Sequence, residues 1–170
     1  MAKKKSLYSC NTRPRLVRET SIVQKYVNFR MQFSCTCSNL LHLTQVIHPQ
    51  DAYLCFLDTF EEGQIPIKEF FYVMALNRAN RLIGIYKVSE GGISGTVVDI
   101  RIVAKFLIDV QASSAIICHN HPSGALRVSY PDIAITKRVK SALKLFGIDL
   151  QDHIIITMDG FYSMQENDDF

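Results

Sequence analysis

The chain has 170 residues, 48% hydrophobic and 21% charged, with a formal net charge of +3. That is the profile of an ordinary globular domain, and it excludes a disordered polyelectrolyte, a collagen-like repeat and a disulfide-dense scaffold. No apolar run reaches the ~18 residues of a membrane span and the start carries no hydrophobic leader, so the sequence reads as cytoplasmic with no membrane association.

In chain order, residues 1–37 read as an N-terminal extension. It comprises a solvated Lys3, Lys4, Lys5 start, expected to be disordered, and an amphipathic helix over 15–31 with Leu16, Ile22, Val23, Tyr26 and Val27 apolar. The remainder, 38–170, reads as one domain. Residues 38–47 look extended, and His48-Pro49 opens a helix over 49–60 with Ala52, Leu54, Cys55 and Leu57 apolar. Residues 69–76 and 81–88, parted by the turn Asn77-Arg78-Ala79-Asn80, read as a hairpin. Gly91, Gly92 and Gly95 mark a bend before a short strand at 95–98. Asp99 caps a helix to about 111, with Ile102, Val103, Phe106, Leu107 and Val110 on one face.

The run 115–118 has the pattern of a buried strand. Ser129 starts a helix over 130–146 with Ile135, Val139, Ala142 or Leu143, and Phe146 as its stripe, ended by Gly147. A strand over 148–157, a turn at 158–160 and a strand over 161–164 complete the chain. Helices between strands, with antiparallel hairpins, indicate an α/β (α+β) three-layer sandwich: a mixed, mostly antiparallel sheet flanked by helices.

The chemistry concentrates in His119-Asn120-His121-Pro122, followed after six residues by Ser129-Tyr130-Pro131-Asp132. Histidines two apart on extended chain point to the same side. Asp132, in the first turn of the next helix, returns its carboxylate to the same point. Two imidazoles and one carboxylate form a zinc set with one position left for water, as in catalytic rather than structural sites. Chance assembly of this spacing is on the order of one in 10⁵ for such a chain.

Such a site needs a proton carrier. Glu69 is the candidate, against the plainer reading of an exposed strand-end glutamate. Ser129 is read as a capping-box residue with Asp132, as a donor to the developing oxyanion, or both. His153 is either a partner of a ligand or, the favoured reading, a hydrogen-bonded histidine at a strand edge.

These residues resemble the JAB/MPN (JAMM) metalloprotease superfamily, whose motif is Glu, His-x-His-Pro and Ser-x-x-Asp. Within it they resemble the RadC-like branch, long labelled DNA repair, through His119-Asn120-His121-Pro122-Ser123-Gly124, Asp132-Ile133-Ala134-Ile135-Thr136 and Asp152-His153-Ile154-Ile155. The likeness covers about 38–166. It implies one zinc ion per chain on His119, His121 and Asp132, Glu69 as proton shuttle and Ser129 as support for a tetrahedral intermediate. The implied reaction is peptide or isopeptide cleavage. The helix-hairpin-helix of longer members is not recognisable in 1–37, and Val128 stands where relatives often carry proline.

The alternative is a RadC-type DNA-processing accessory protein whose metal site is secondary. It draws on Lys137, Arg138, Lys140 and Lys144, which read more plainly as the solvated face of a helix. The cysteines Cys10, Cys35, Cys37, Cys55 and Cys118 are odd in number and read as reduced thiols.

Overall fold

The computed structural model describes residues 45–92 and 95–170. The helix expected over 15–31, the boundary at 37/38, the extended reading of 38–44 and Cys10, Cys35 and Cys37 lie outside the described residues. The described elements are α1 (Pro49–Leu57), β1 (Phe70–Leu76), β2 (Leu82–Glu90), α2 (Ile100–Asp109), β3 (Ser114–Asn120), α3 (Tyr130–Lys144), β4 (Asp149–Thr157) and β5 (Gly160–Ser163).

One five-stranded sheet has the order β2-β1-β3-β4-β5. Every pairing is antiparallel except β3 with β4, which α3 connects. The central strands β1 and β3 are buried at every residue, because helices cover both faces of the sheet.

Side-chain alternation divides the core in two. Phe71, Val73, Ala75, Ala115, Ile117 and Leu150 meet Val103, Phe106 and Leu107 of α2 and Val139 and Leu143 of α3. Phe70, Tyr72, Met74, Leu76, Ile116, Cys118, Ile154 and Ile156 meet Ala52 and Phe56 of α1. This is the three-layer, mixed sandwich that the order of elements predicts.

Several boundaries move for local reasons. Helix α1 stops at Leu57 rather than at residue 60, because the N–H and the hydroxyl of Thr59 both donate to the Phe56 carbonyl (2.9 and 2.6 Å) and tighten the chain into a turn. No strand forms at 95–98: Gly95 adopts φ 149°, Val97 is 89% exposed, and the segment runs straight into the Asp99 cap.

The buried face of α2 centres on Val103, Ala104, Phe106 and Leu107, leaving Ile102 exposed; that of α3 is Thr136, Val139 and Leu143, leaving Phe146 exposed. Strand β3 runs to Asn120 rather than ending at Cys118, so His119 lies inside the sheet and not beyond it. Among the described residues, no helix is long and apolar enough to cross a membrane.

Candidate metal centre

The extra length of β3 seats the first histidine. His119 pairs with Phe71 on one side and Ile155 on the other, on the face that packs against α2 and α3, and is 2% exposed. His121 follows the strand end, yet its N–H still donates to the Ile156 carbonyl (2.9 Å), so the alternation persists and both rings share a face. Asp132 enters from the first turn of α3, where the Ser129 capping box and Pro131 set the helix start.

Three donors converge. His119 Nε2 lies 2.9 Å from His121 Nε2 and 3.2 Å from Asp132 Oδ1, and His121 Nε2 lies 3.6 Å from Asp132 Oδ2. A tetrahedral ion with bonds of ~2.0–2.1 Å would hold its donors roughly 3.3 Å apart. The tautomer of His121 agrees: its Nδ1–H donates to the Ala125 carbonyl (2.8 Å), leaving a lone pair on Nε2. That lone pair, a second imidazole nitrogen and a carboxylate in one place suit a cation. The residues fit a metal ion.

The electrostatics respond to the same crowding. Burial acts to raise the Asp132 carboxyl, but hydrogen bonds with His119, His121 and Ser129 outweigh it and hold the group well below the usual carboxylate range. Its bond with Asp132 raises His121 against the opposing effect of burial, with Glu69 adding a smaller push in the same direction.

Glu69 immediately precedes β1 and lines the same cavity of about 790 Å³ as His119, His121 and Asp132. Its backbone is clamped on the glycine loop, donating to the Gly92 carbonyl (3.1 Å) and accepting from Gly91 N–H (2.8 Å). Gly91 must be glycine, since a Cβ there would lie 2.2 Å from the Gly95 carbonyl oxygen.

Ser129 also lines the cavity. Its hydroxyl donates to Asp132 Oδ2 (2.6 Å), Asp132 N–H bonds back to it (3.3 Å), and Ser129 N–H donates to the same Oδ2 (2.7 Å). The expected capping box is therefore formed, and it shares its carboxylate with the ligand set.

His153 is not at a strand edge. It lies fully buried in β4, between β3 and β5, and its Nε2 is 2.7 Å from His119 Nδ1. Burial, reinforced by the nearby His119, pushes its pKa well down, so the ring is neutral.

Two residues went unread in the sequence. Asn120, between the two histidines, points to the opposite face. Its Oδ1 accepts from Phe70 N–H (2.8 Å), and its Nδ2 donates to the carbonyls of Ile65 (2.8 Å) and Lys68 (2.9 Å), fastening the segment that carries Glu69. Thr136, one turn after Asp132, touches His153 Nδ1 at 2.6 Å. The signals were present: strand alternation inverts Asn120, and the i, i+4 spacing aligns Thr136 with Asp132.

A His-x-His pair at the end of a sheet strand, completed by an aspartate in the first turn of the next helix of a three-layer sandwich, fits a JAMM-type metal site. The chain belongs to the RadC-like JAB domain family, whose model matches residues 46–169. Similar curated proteins include a UPF0758 protein of Flavobacterium johnsoniae, 38% identical over 125 residues, which are 74% of this chain and 53% of that protein. UPF0758 proteins of Porphyromonas gingivalis (41% identical, 56% of this chain and 42% of the relative) and Clostridium acetobutylicum (46% identical, 56% and 41%) are similar as well. The chain spans about half the length, or less, of these curated relatives.

Proposed function

We propose that this domain is a zinc-dependent hydrolase, a metallopeptidase or isopeptidase, with His119, His121 and Asp132 holding one zinc ion and Glu69 carrying protons. The observation that supports it is the convergence of the three donors on the wall of a cavity that Glu69 shares. Zinc bound there supplies a Lewis acid and an acidified water. Glu69 takes a proton from the attacking water and returns it to the leaving nitrogen, so one carboxylate serves as base and then acid. Ser129 serves the oxyanion that develops as the carbonyl is attacked by turning toward it the hydroxyl hydrogen that it otherwise donates to Asp132 Oδ2. An intact Glu69 also speaks against a metal-bound scaffold that has lost catalysis.

The cavity rim adds a preference. Arg127 and Arg138 line it and form no ion pair with a carboxylate among the described residues, favouring a substrate with an anionic group near the scissile bond. The test is elemental analysis of the purified protein, followed by Glu69→Gln. The variant should keep zinc, lose roughly 10²–10⁴-fold in turnover and retain uncleaved substrate long enough to identify it. A protein that contains no zinc and gains none on addition refutes the proposal.

A second reading, DNA association, draws on α3, where Lys137, Arg138, Lys140 and Lys144 are all exposed. It calls for salt-dependent DNA binding that weakens when these four are replaced. Binding unchanged by the replacement removes the helix from consideration.

A further inference from the structure

We propose that His153 and Thr136 form a positioning relay that selects the tautomer of His119 and so keeps its Nε2 lone pair available to a metal. The inference rests on the metal-site reading above and concerns two residues outside the ligand set.

The logic is one of counting protons. The Thr136 hydroxyl has a single hydrogen and three neighbours, the Asp132 carbonyl at 2.5 Å, His153 Nδ1 at 2.6 Å and the weak, distant acceptor Met164 Sδ at 3.8 Å. A carbonyl can only accept, so the hydroxyl hydrogen points at Asp132. Thr136 Oγ1 must then accept from His153 Nδ1–H.

The His153 ring is fully buried and touches no carboxylate among the described residues, so it carries one N–H, and with that on Nδ1 its Nε2 is left with a lone pair. Its neighbour at 2.7 Å, His119 Nδ1, must therefore be the donor. With that proton on Nδ1, His119 Nε2 presents a lone pair toward His121 Nε2 and Asp132 Oδ1. The direction of all three bonds follows from the carbonyl that cannot donate and the single N–H of the buried His153 ring.

The relay opposes a competing state. Without an acceptor at Nδ1, the His119 proton is drawn to Nε2, where Asp132 Oδ1 at 3.2 Å would receive it. That arrangement places a proton where the metal should be. The relay also ends on the backbone of Asp132 itself, so the ligand on β3 and the ligand on α3 are joined through a second, buried path. Packing alone would be served by an apolar residue at 153, which lies in a buried strand against Phe71. An imidazole there has a chemical purpose.

The test combines two measurements on wild type, His153→Leu, His153→Gln and Thr136→Val. Long-range ¹H–¹⁵N correlation spectra of the metal-free protein should show both His119 and His153 as Nδ1–H tautomers. Zinc affinity, from competition with a chromogenic chelator at fixed pH, should fall ~10–100-fold in His153→Leu. His153→Gln keeps an acceptor near the former Nε2 and should recover most of that loss, while Thr136→Val should fall between the two. Thermal unfolding of each metal-free variant separates these effects from simple destabilisation.

Nε2–H on His119 in the metal-free wild type overturns the proposal, as does wild-type zinc affinity in a folded His153→Leu protein. Equal losses in the Gln and Leu variants overturn it too. A wild type that takes up no zinc refutes the metallohydrolase reading, while the tautomers in the same metal-free sample decide this one separately.

Discussion

Replacing Asn120 with alanine separates the placement of Glu69 from the binding of metal. The Asn120 side chain is fully buried and makes three hydrogen bonds, one from Phe70 N–H and two to the carbonyls of Ile65 and Lys68. Alanine abolishes all three. The Phe70 amide is left buried, at about 1–3 kcal/mol, while the two carbonyls are partly reachable by water and cost less. The sum is about 2–4 kcal/mol, measurable by urea unfolding of the metal-free protein.

Glu69 lies between two of the residues that Asn120 fastens, so its carboxylate should shift although the glycine loop still holds its backbone. A displacement near 1 Å costs roughly 10² in rate. His119 and His121 keep their pairing with β4, so zinc affinity should stay within a few-fold of wild type. The expected pattern is lower stability, retained zinc and reduced turnover of the folded fraction. A loss of stability under about 1 kcal/mol, or zinc affinity falling in step with turnover, refutes the reasoning.

Ser129→Ala should cost about 1 kcal/mol as a lost helix cap. If Ser129 also serves the oxyanion, turnover per folded molecule should fall by ~10²–10³, whereas a role in capping alone leaves it unchanged. The pH dependence has two opposite signs. Because Asp132 raises His121 above its ordinary value of 6.5, the proton competes with metal, and zinc affinity should climb as pH rises through that raised pKa. In the metal-free protein the His121–Asp132 pair stabilises the fold fully below pH 6.5, and this contribution is lost as pH rises through the raised value. A melting temperature that increases over that window without metal contradicts the assignment. Burial pushes the Cys118 thiol well up, so alkylation at pH 8 should follow global unfolding; rapid labelling of the native protein would contradict its placement.

The candidate metal-binding group was legible in the sequence because its geometry is local. Histidines two apart on an extended segment must share a face, and Ser-x-x-Asp at a helix start must turn its carboxylate back along the chain. The sandwich was legible because hydrophobic periodicity reports the burial of each element. The expected strand at 95–98 was not so fixed: two valines after a glycine carry too little pattern to show whether the chain pairs or turns into a helix.

What the sequence by itself determined, then, is which residues can ligate and on which elements they ride. Only the tertiary structure decided what stands behind them. His153 reaches His119 across 34 positions, and Asn120 reaches Ile65 across 55. Both contacts depend on strand order and register, because the β1–β3–β4 neighbourhood brings distant segments within hydrogen-bond distance. A single strand cannot specify its neighbours, and a lone histidine in an apolar run looks the same whether it lies at an edge or against a metal ligand.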